Sequence, residues 1–274
     1  MPDARRVAVL VPALNEALRI RGVVEAALAH CPHVIVVDDG SDDDTVARIE
    51  DLPVTLLRHP RRMGKGAALR TGFAEALRLG LDGVLSMDGD GQHDAADIPR
   101  LLAAADRNPG AIVIGARLRK RACQPGYRRL ANEFGDWGIA WGCGYRIADS
   151  QSGQRYYPAA VCALDAVPGE DFVFEAQILI SAARRLGSGV VSVPVESRYG
   201  PGPHSAATCP GFRPSHFRPL RDLYRITSHV VAQVWRYGNV VEEYRRTRAH
   251  PPRIDDPDGE FNGVRLDPAG SSPR

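Results

Sequence analysis

The sequence predicts an α/β fold: a mainly parallel central sheet flanked by helices, with a smaller β/loop region in its second half and a C-terminal helix. Three observations predict it. The first 115 residues alternate short apolar runs with longer helical patterns, the order that builds parallel sheets with right-handed crossovers. The runs are β-branched and almost continuously apolar, as in strands covered on both faces. Each polar cluster of note directly follows a run, and in such sheets ligands sit at the carboxyl ends of the strands.

The strands are expected at "VAVLV" (7–11), "VIVVD" (34–38), "VTLLR" (54–58), "GVLSM" (83–87) and "AIVIG" (111–115). Helices are expected over roughly 16–29, 43–50, 65–79 and 95–107, with Ser41 or Asp42 as N-cap of the second. The pattern then changes. "RLRKRACQPGYRR" (117–129) carries six basic residues with Gly and Pro and reads as a mobile loop. A helix over 128–141 follows. "DSQSGQRYYP" (149–158) reads as a turn running into an edge strand. A helix over 173–186 precedes a strand in "GVVSVPVESRY", and "GPGPHSAATCPGFRPSH" (200–216) is a long Gly/Pro loop. A final helix is expected over 218–246, with apolar positions from Leu220 to Trp235. The Pro/Asp/Gly-rich tail reads as disordered. The expected organisation is one domain over 1–247, with halves of about 1–116 and 117–247, and a tail over 248–274.

Composition excludes several classes. At 274 residues, 44% apolar and 25% charged, the chain is an ordinary globular protein with room for a sizeable core. A net charge of +2 does not mark a nucleic-acid binder. The five cysteines contain no C-x-x-C pair, so neither a zinc knuckle nor a disulfide framework is expected, and a reducing cytoplasm is. The first apolar run is too short for a signal peptide. No stretch reaches the ~18 uncharged apolar residues of a membrane-spanning helix, so membrane contact is expected to be peripheral.

The chemistry centres on "SMDGDGQH" (86–93), which puts Asp88 and Asp90 one residue apart at the end of a buried run. Two readings stand: a hydrated turn, or a pair whose repulsion a divalent cation offsets. Mg²⁺ and Mn²⁺ take oxygen ligands and share them with phosphates; Gln92 and His93 do not fit a calcium EF-hand loop. "DDGS" (38–41) supplies a turn, with Asp38 and Asp39 in excess of that need. A carboxylate there accepts from a base N–H or a ribose hydroxyl. "PALNE" (12–16) places Asn15 and Glu16 where a nucleotide would lie, or as a helix cap. "RMGKGAALRTG" (62–72) fails the P-loop pattern, yet glycines at a helix start favour anions. Lys65 either assists there or is solvated. No G-x-G-x-x-G follows the first strand, which disfavours a dehydrogenase.

Taken together, "VPALNE", "VVDDGSDDDT", "GKGAALRTGF", "DGDGQHDAADIP", "DSQSGQRYY" and "VFEAQILISAARRLG" resemble, in order, the inverting family 2 glycosyltransferases of the GT-A fold, nearest to the dolichyl-phosphate mannose or glucose synthase branch. The resemblance spans 7–187, and "SHFRPLRD" (215–222) extends it. It implies that Pro12, Ala13, Glu16 and Asp39 hold the nucleoside of a UDP- or GDP-linked sugar, with Asn15, Asp38 and Gly89 beside them. It implies that Asp88 and Asp90, with Gln92, hold Mg²⁺ or Mn²⁺ on the diphosphate. Breaking the sugar–diphosphate bond leaves negative charge that a cation and arginines share. Arg117, Arg155 and Arg218 are the candidates, with His216 as a diphosphate contact or a metal ligand.

A lipid-phosphate acceptor is already anionic and needs no base. A hydroxyl acceptor needs one, for which Asp149, Asp171 and Glu175 are candidates; Glu175 also reads as a first-turn helix acid. Departures concern the acceptor side: "SGFR" of the family is "SGQR" here, the loop before Ser215 is long, and no C-terminal membrane spans occur. Loop 117–129 and the final helix, with Arg218, Arg221 and Arg225, are read either as a surface for anionic membrane or as solvated charge. The expected function is transfer to a lipid-linked acceptor such as polyprenyl phosphate, at the cytoplasmic face of the cell membrane. The alternatives are transfer to a hydroxyl of a glycan or other lipid, and a non-catalytic nucleotide-sugar-binding subunit.

Overall fold

The computed structural model describes residues 6–118, 136–169, 171–195, 228, 235 and 240–257. Its centre is an eight-stranded sheet. The strands are β1 (Val7–Ala13), β2 (His33–Asp38), β3 (Thr55–Arg58), β4 (Gly83–Ser86), β5 (Ile112–Ala116), β6 (Arg155–Pro158), β7 (Val190–Pro194) and β8 (Arg253–Ile254), in the spatial order β3-β2-β1-β4-β6-β5-β7-β8. β6 is antiparallel to both its neighbours, and every other pairing is parallel. Seven strands therefore share one direction. Their carboxyl ends meet on one edge, and the reversed β6 delivers its amino end to that same edge.

Strand alternation divides the core in two. Val7, Val9 and Val11 of β1 face one layer, with Ile20, Val23 and Val24 of α1 (Ile20–Leu28) and Ile98 and Leu101 of α3 (Ile98–Arg107). Ala8 and Leu10 face the other, with Leu69 and Phe73 of α2 (Lys65–Arg78) and Phe174 and Ile178 of α4 (Asp171–Ser181). Helices on both faces explain the continuously apolar strands.

Several elements differ from expectation. β6 is a central strand and not an edge strand. All four of its residues are buried, with Tyr157 facing one layer and Tyr156 the other. Residues 44–51 form turns instead of a helix. The Asp43 carboxylate accepts from Thr45 N–H and Ala17 N–H, giving the backbone an alternative to helical bonding. Ser41 and Asp42 therefore cap no helix there. The first helix starts at Ile20 because Asn15 is left-handed (φ 56°) and the following residues are tied to the β2 loop. α4 begins at Asp171 and runs into a wider turn, Ala182–Leu186, closed by Gly187.

The described part of the final helix is α5 (Val240–Ala249), with residues 228 and 235 also helical. Arg184 holds α5 through both Glu243 oxygens, at 3.0 and 2.6 Å. Residues 250–257, expected in the disordered tail, include a strand and two ion-paired aspartates. β8 extends the sheet beside β7. Asp255 accepts two bonds from Arg107, at 3.1 and 2.8 Å, and Asp256 accepts from Arg100 at 2.9 Å. The expected loops over 119–129 and 200–216 lie outside the described residues. Among the described residues no helix is long and apolar enough to cross a membrane.

Candidate active site

The site is built on the carboxyl edge. Past β1, Asn15 N–H donates to Ser41 Oγ at 2.9 Å and its Oδ1 accepts from Asp42 N–H at 3.0 Å. Glu16 N–H donates to Thr45 Oγ1 at 2.8 Å, and its carboxylate pairs with Arg19 at 3.2 Å. These bonds join the loops after β1 and β2 into one rim. Gly89 packs onto that rim: a Cβ there would lie 3.3 Å from the Pro12 carbonyl oxygen and 3.7 Å from Glu16 Cγ. The structure thus gathers Pro12, Ala13, Asn15, Glu16 and Gly89.

Asp38 and Asp39 turn inward. Asp38 is fully buried, with Arg58 Nε at 3.1 Å and Ser41 N–H at 3.2 Å. Its carboxylate thereby ties the start of the turn after β2 to the end of β3. Asp39 accepts from Met63 N–H at 2.8 Å and Gly64 N–H at 2.7 Å, with His59 Nδ1 at 2.7 Å. It fixes the loop that delivers Lys65 to the first position of α2.

Lys65 Nζ lies 2.7 Å from Asp88 Oδ1 and 3.2 Å from Glu175 Oε1. Burial would lower the Lys65 pKa, but Asp88 and Glu175 outweigh it and raise it. Burial would likewise raise the Asp88 pKa; Lys65, with His93 beside it, outweighs that and holds it well below the usual carboxylate range. Asp90 differs. Burial, and then the charge of Asp88, push its pKa up. It accepts from Gln92 N–H at 3.0 Å and has no ion-pair partner among the described residues. His93 Nδ1 accepts the Asp88 N–H at 3.2 Å, which closes the acidic loop on itself.

Two of the candidate arginines are engaged by groups of the protein itself. Arg155 is 2% exposed and donates to the carbonyls of Ser152 (2.6 Å), Ser150 (2.7 Å) and Glu175 (3.0 Å). Its guanidinium ties the β6 lead-in to α4 through these carbonyls and also lies 4.0 Å from the Glu175 carboxylate. Arg117 is bidentate to Asp149, at 2.8 and 2.7 Å, so two candidates of opposite charge engage each other. Asp171 opens α4. Arg218 and His216 lie outside the described residues.

Three relationships are not legible in the sequence. The Lys65–Glu175 pair joins residues far apart in the chain. His93, whose letter ends "DGDGQH", binds the backbone of that same loop. Gly153, in "SGQR", lies where a Cβ would stand 2.4 Å from Asp88 Oδ2; only glycine lets β6 approach the acidic loop so closely.

Among the described residues, no group of three or more His, Cys, Asp or Glu side chains is gathered as a metal site. The donors present still fit a hard cation that shares its ligands with a diphosphate. They are oxygens, and Asp90 is a half-buried carboxylate beside a second one, with no ion-pair partner among the described residues.

Residues 8–163 match the family model for glycosyl transferase family 2. The polyprenol monophosphomannose synthase of Mycolicibacterium smegmatis is 31% identical over 214 residues, covering 70% of this chain and 77% of that one. The undecaprenyl-phosphate mannosyltransferase of Micrococcus luteus is 30% identical over 203 residues, covering 69% and 82%. Among solved structures, M. tuberculosis glucosyl-3-phosphoglycerate synthase in complex with Mn²⁺, UDP and phosphoglyceric acid superposes with a TM-score of 0.58 at 22% identity, over 85% of this chain and 78% of that one. That likeness establishes the fold.

Proposed function

This chain belongs to glycosyl transferase family 2, and on that premise we propose that it moves a sugar from a nucleoside-diphosphate donor to a lipid-linked phosphate such as polyprenyl phosphate. The observation that carries this reading is the Asp88–Asp90 pair: one carboxylate is balanced by Lys65, and the other is half-buried beside it with its pKa pushed up by burial and by the charge of Asp88. The donor half is residues 1–116 and the acceptor half residues 117–247. The rim of Pro12, Ala13, Asn15, Glu16 and Gly89 receives the nucleoside, UDP or GDP. The names of the two relatives, which act on polyprenyl phosphates, support the acceptor. A lipid phosphate brings the protein to the inner face of the cell membrane as a peripheral partner.

Mg²⁺ or Mn²⁺ would be held by Asp90 and Asp88 with Gln92, and when bound it supplies Lewis-acid stabilisation of the negative charge on the leaving diphosphate. The chain's own residues do the rest. Lys65, kept protonated by Asp88 and Glu175, presents a positive charge beside the diphosphate. Asp39 holds the loop that aims it. The acceptor phosphate oxygen attacks the anomeric carbon from the face opposite the diphosphate, and the sugar inverts. That oxygen is already anionic, so no side chain takes a proton. Glu175 then serves as the second partner of Lys65.

The test is label transfer from UDP- and GDP-sugars to polyprenyl phosphate, with and without Mn²⁺, by wild type and Asp90→Ala. Metal-dependent transfer that the variant loses is the expected result. Transfer to a hydroxyl of a glycan or lipid in its place overturns the acceptor. Donor binding without turnover on any acceptor makes the chain a binding subunit.

A further inference from the structure

Two neighbouring residues ahead of β6 grip both ends of the acidic loop. Gly153 lies against the Asp88 carboxylate at its start. Gln154 is fully buried, and its Nε2 donates to the Asp94 carbonyl at its end, at 3.0 Å. Asp94 in turn accepts the Ala96 N–H at 3.1 Å, ahead of α3. The Gln154 backbone carbonyl accepts from Gly115 N–H of β5 at 2.9 Å, so the residue is itself fixed to the sheet. One strand entry therefore sets the distance between the beginning and the end of the loop.

The Gln154 side chain does this at a cost. Its Oε1 is buried with no hydrogen-bond partner among the described residues, and an unpaired buried acceptor is unfavourable. An apolar side chain of the same length would avoid that penalty. Stability does not explain the amide, whereas the bond made by its nitrogen to the acidic loop does.

We propose that Gln154 is a positioning residue for cation and diphosphate binding: it holds the Asp94 carbonyl so that the oxygens of Asp88, Asp90 and Gln92 stand at the spacing one shared cation needs. The inference rests on the function proposed above and deepens it. Groups that orient ligands from behind typically change metal affinity about 10–100-fold when removed.

The test compares wild type with Gln154→Met, which keeps the length and removes both polar atoms, and with Gln154→Leu as a second apolar replacement. Two quantities are read on the full chain: the thermal midpoint without ligand, and Mn²⁺ half-saturation by electron paramagnetic resonance with UDP, and separately with GDP. The expected result is a midpoint at or above wild type with half-saturation raised about tenfold. Half-saturation within about twofold of wild type in a folded variant overturns the positioning role and leaves the proposed function standing. An affinity loss that only tracks a falling midpoint in both variants also overturns it, since Gln154 is then a packing residue. If wild type binds Mn²⁺ with neither nucleotide, the proposed function fails and takes this inference with it.

Discussion

Lys65 Nζ and Asp88 Oδ1 form a 2.7 Å ion pair that joins the start of α2 to the end of β4. The depressed Asp88 pKa contributes stability that is full above the ordinary carboxylate range of about 4 and is lost as pH falls through the depressed value. The raised Lys65 pKa contributes stability that is full below about 10.4 and is lost as pH rises through the raised value. The pair thus adds a constant term across neutral pH. Lys65→Met is expected to destabilise by about 1–2 kcal/mol at neutral pH, less than for a fully enclosed pair because each side chain is about a quarter exposed. Adding Asp88→Asn should recover part of the loss. Urea unfolding of the two single variants and the double variant checks this; an unchanged midpoint in Lys65→Met would mean the pair contributes nothing.

Asp90 carries the opposite sign. Its raised pKa means that the folded state binds this proton more tightly than the unfolded chain does, so stability falls as pH rises through the ordinary carboxylate range toward the raised value. Asp90→Asn removes the repulsion with Asp88, and is expected to stabilise by about 0.5–2 kcal/mol while abolishing Mn²⁺-dependent nucleotide binding. In wild type, that binding should weaken as pH falls into the range where Asp90 protonates. Calorimetry across pH decides it. A variant less stable than wild type, with binding intact, removes Asp90 from the site.

The acidic pair was legible because its two members are neighbours in sequence and end an apolar run. The strands and α2 were legible for a similar reason: periodicity and Gly64 before Lys65 are local signals. What failed depended on distant partners. "RYYP" gives no hint that β6 slides between β4 and β5, since only pairing to both places it there. Residues 44–51 carry helix-compatible letters, yet Asp43 and Thr45 spend their side chains on the loop after β1. The Pro/Asp-rich segment at 250–257 has a disordered composition, and its order comes from Arg100 and Arg107 of α3, which pair with its two aspartates. The charge of Arg155 is plain in its letter, but its role as a tie among three backbone carbonyls is not.

That role makes Arg155 a test of structure against chemistry. The guanidinium donates to three carbonyls in a buried fork. Arg155→Lys keeps the charge but cannot reproduce that fork. It is expected to cost about 3 kcal/mol or more, with loss of soluble protein. Denaturant unfolding of the purified variant is the check. A stably folded Arg155→Lys with selectively lowered turnover would return Arg155 to the diphosphate.

Gly153→Ala should separate binding from folding most cleanly. The added Cβ would stand 2.4 Å from Asp88 Oδ2 and 2.9 Å from its Cγ. Those atoms end a side chain, so the carboxylate can swing aside while the backbone stays in place. Gly153 is not among the residues with positive φ, so alanine meets no backbone strain there. The displaced carboxylate leaves Lys65 and loses its register with Asp90. The thermal midpoint is therefore expected to move by only about 4 °C or less, roughly 1 kcal/mol. Mn²⁺ affinity in the presence of UDP should fall about tenfold. Because the whole effect passes through Asp88, Gly153→Ala should add nothing in an Asp88→Ala background. An additional loss in that background would mean that the glycine supports the fold in some other way, and wild-type affinity in the single variant would mean that the Asp88 carboxylate is not held where the ligand needs it.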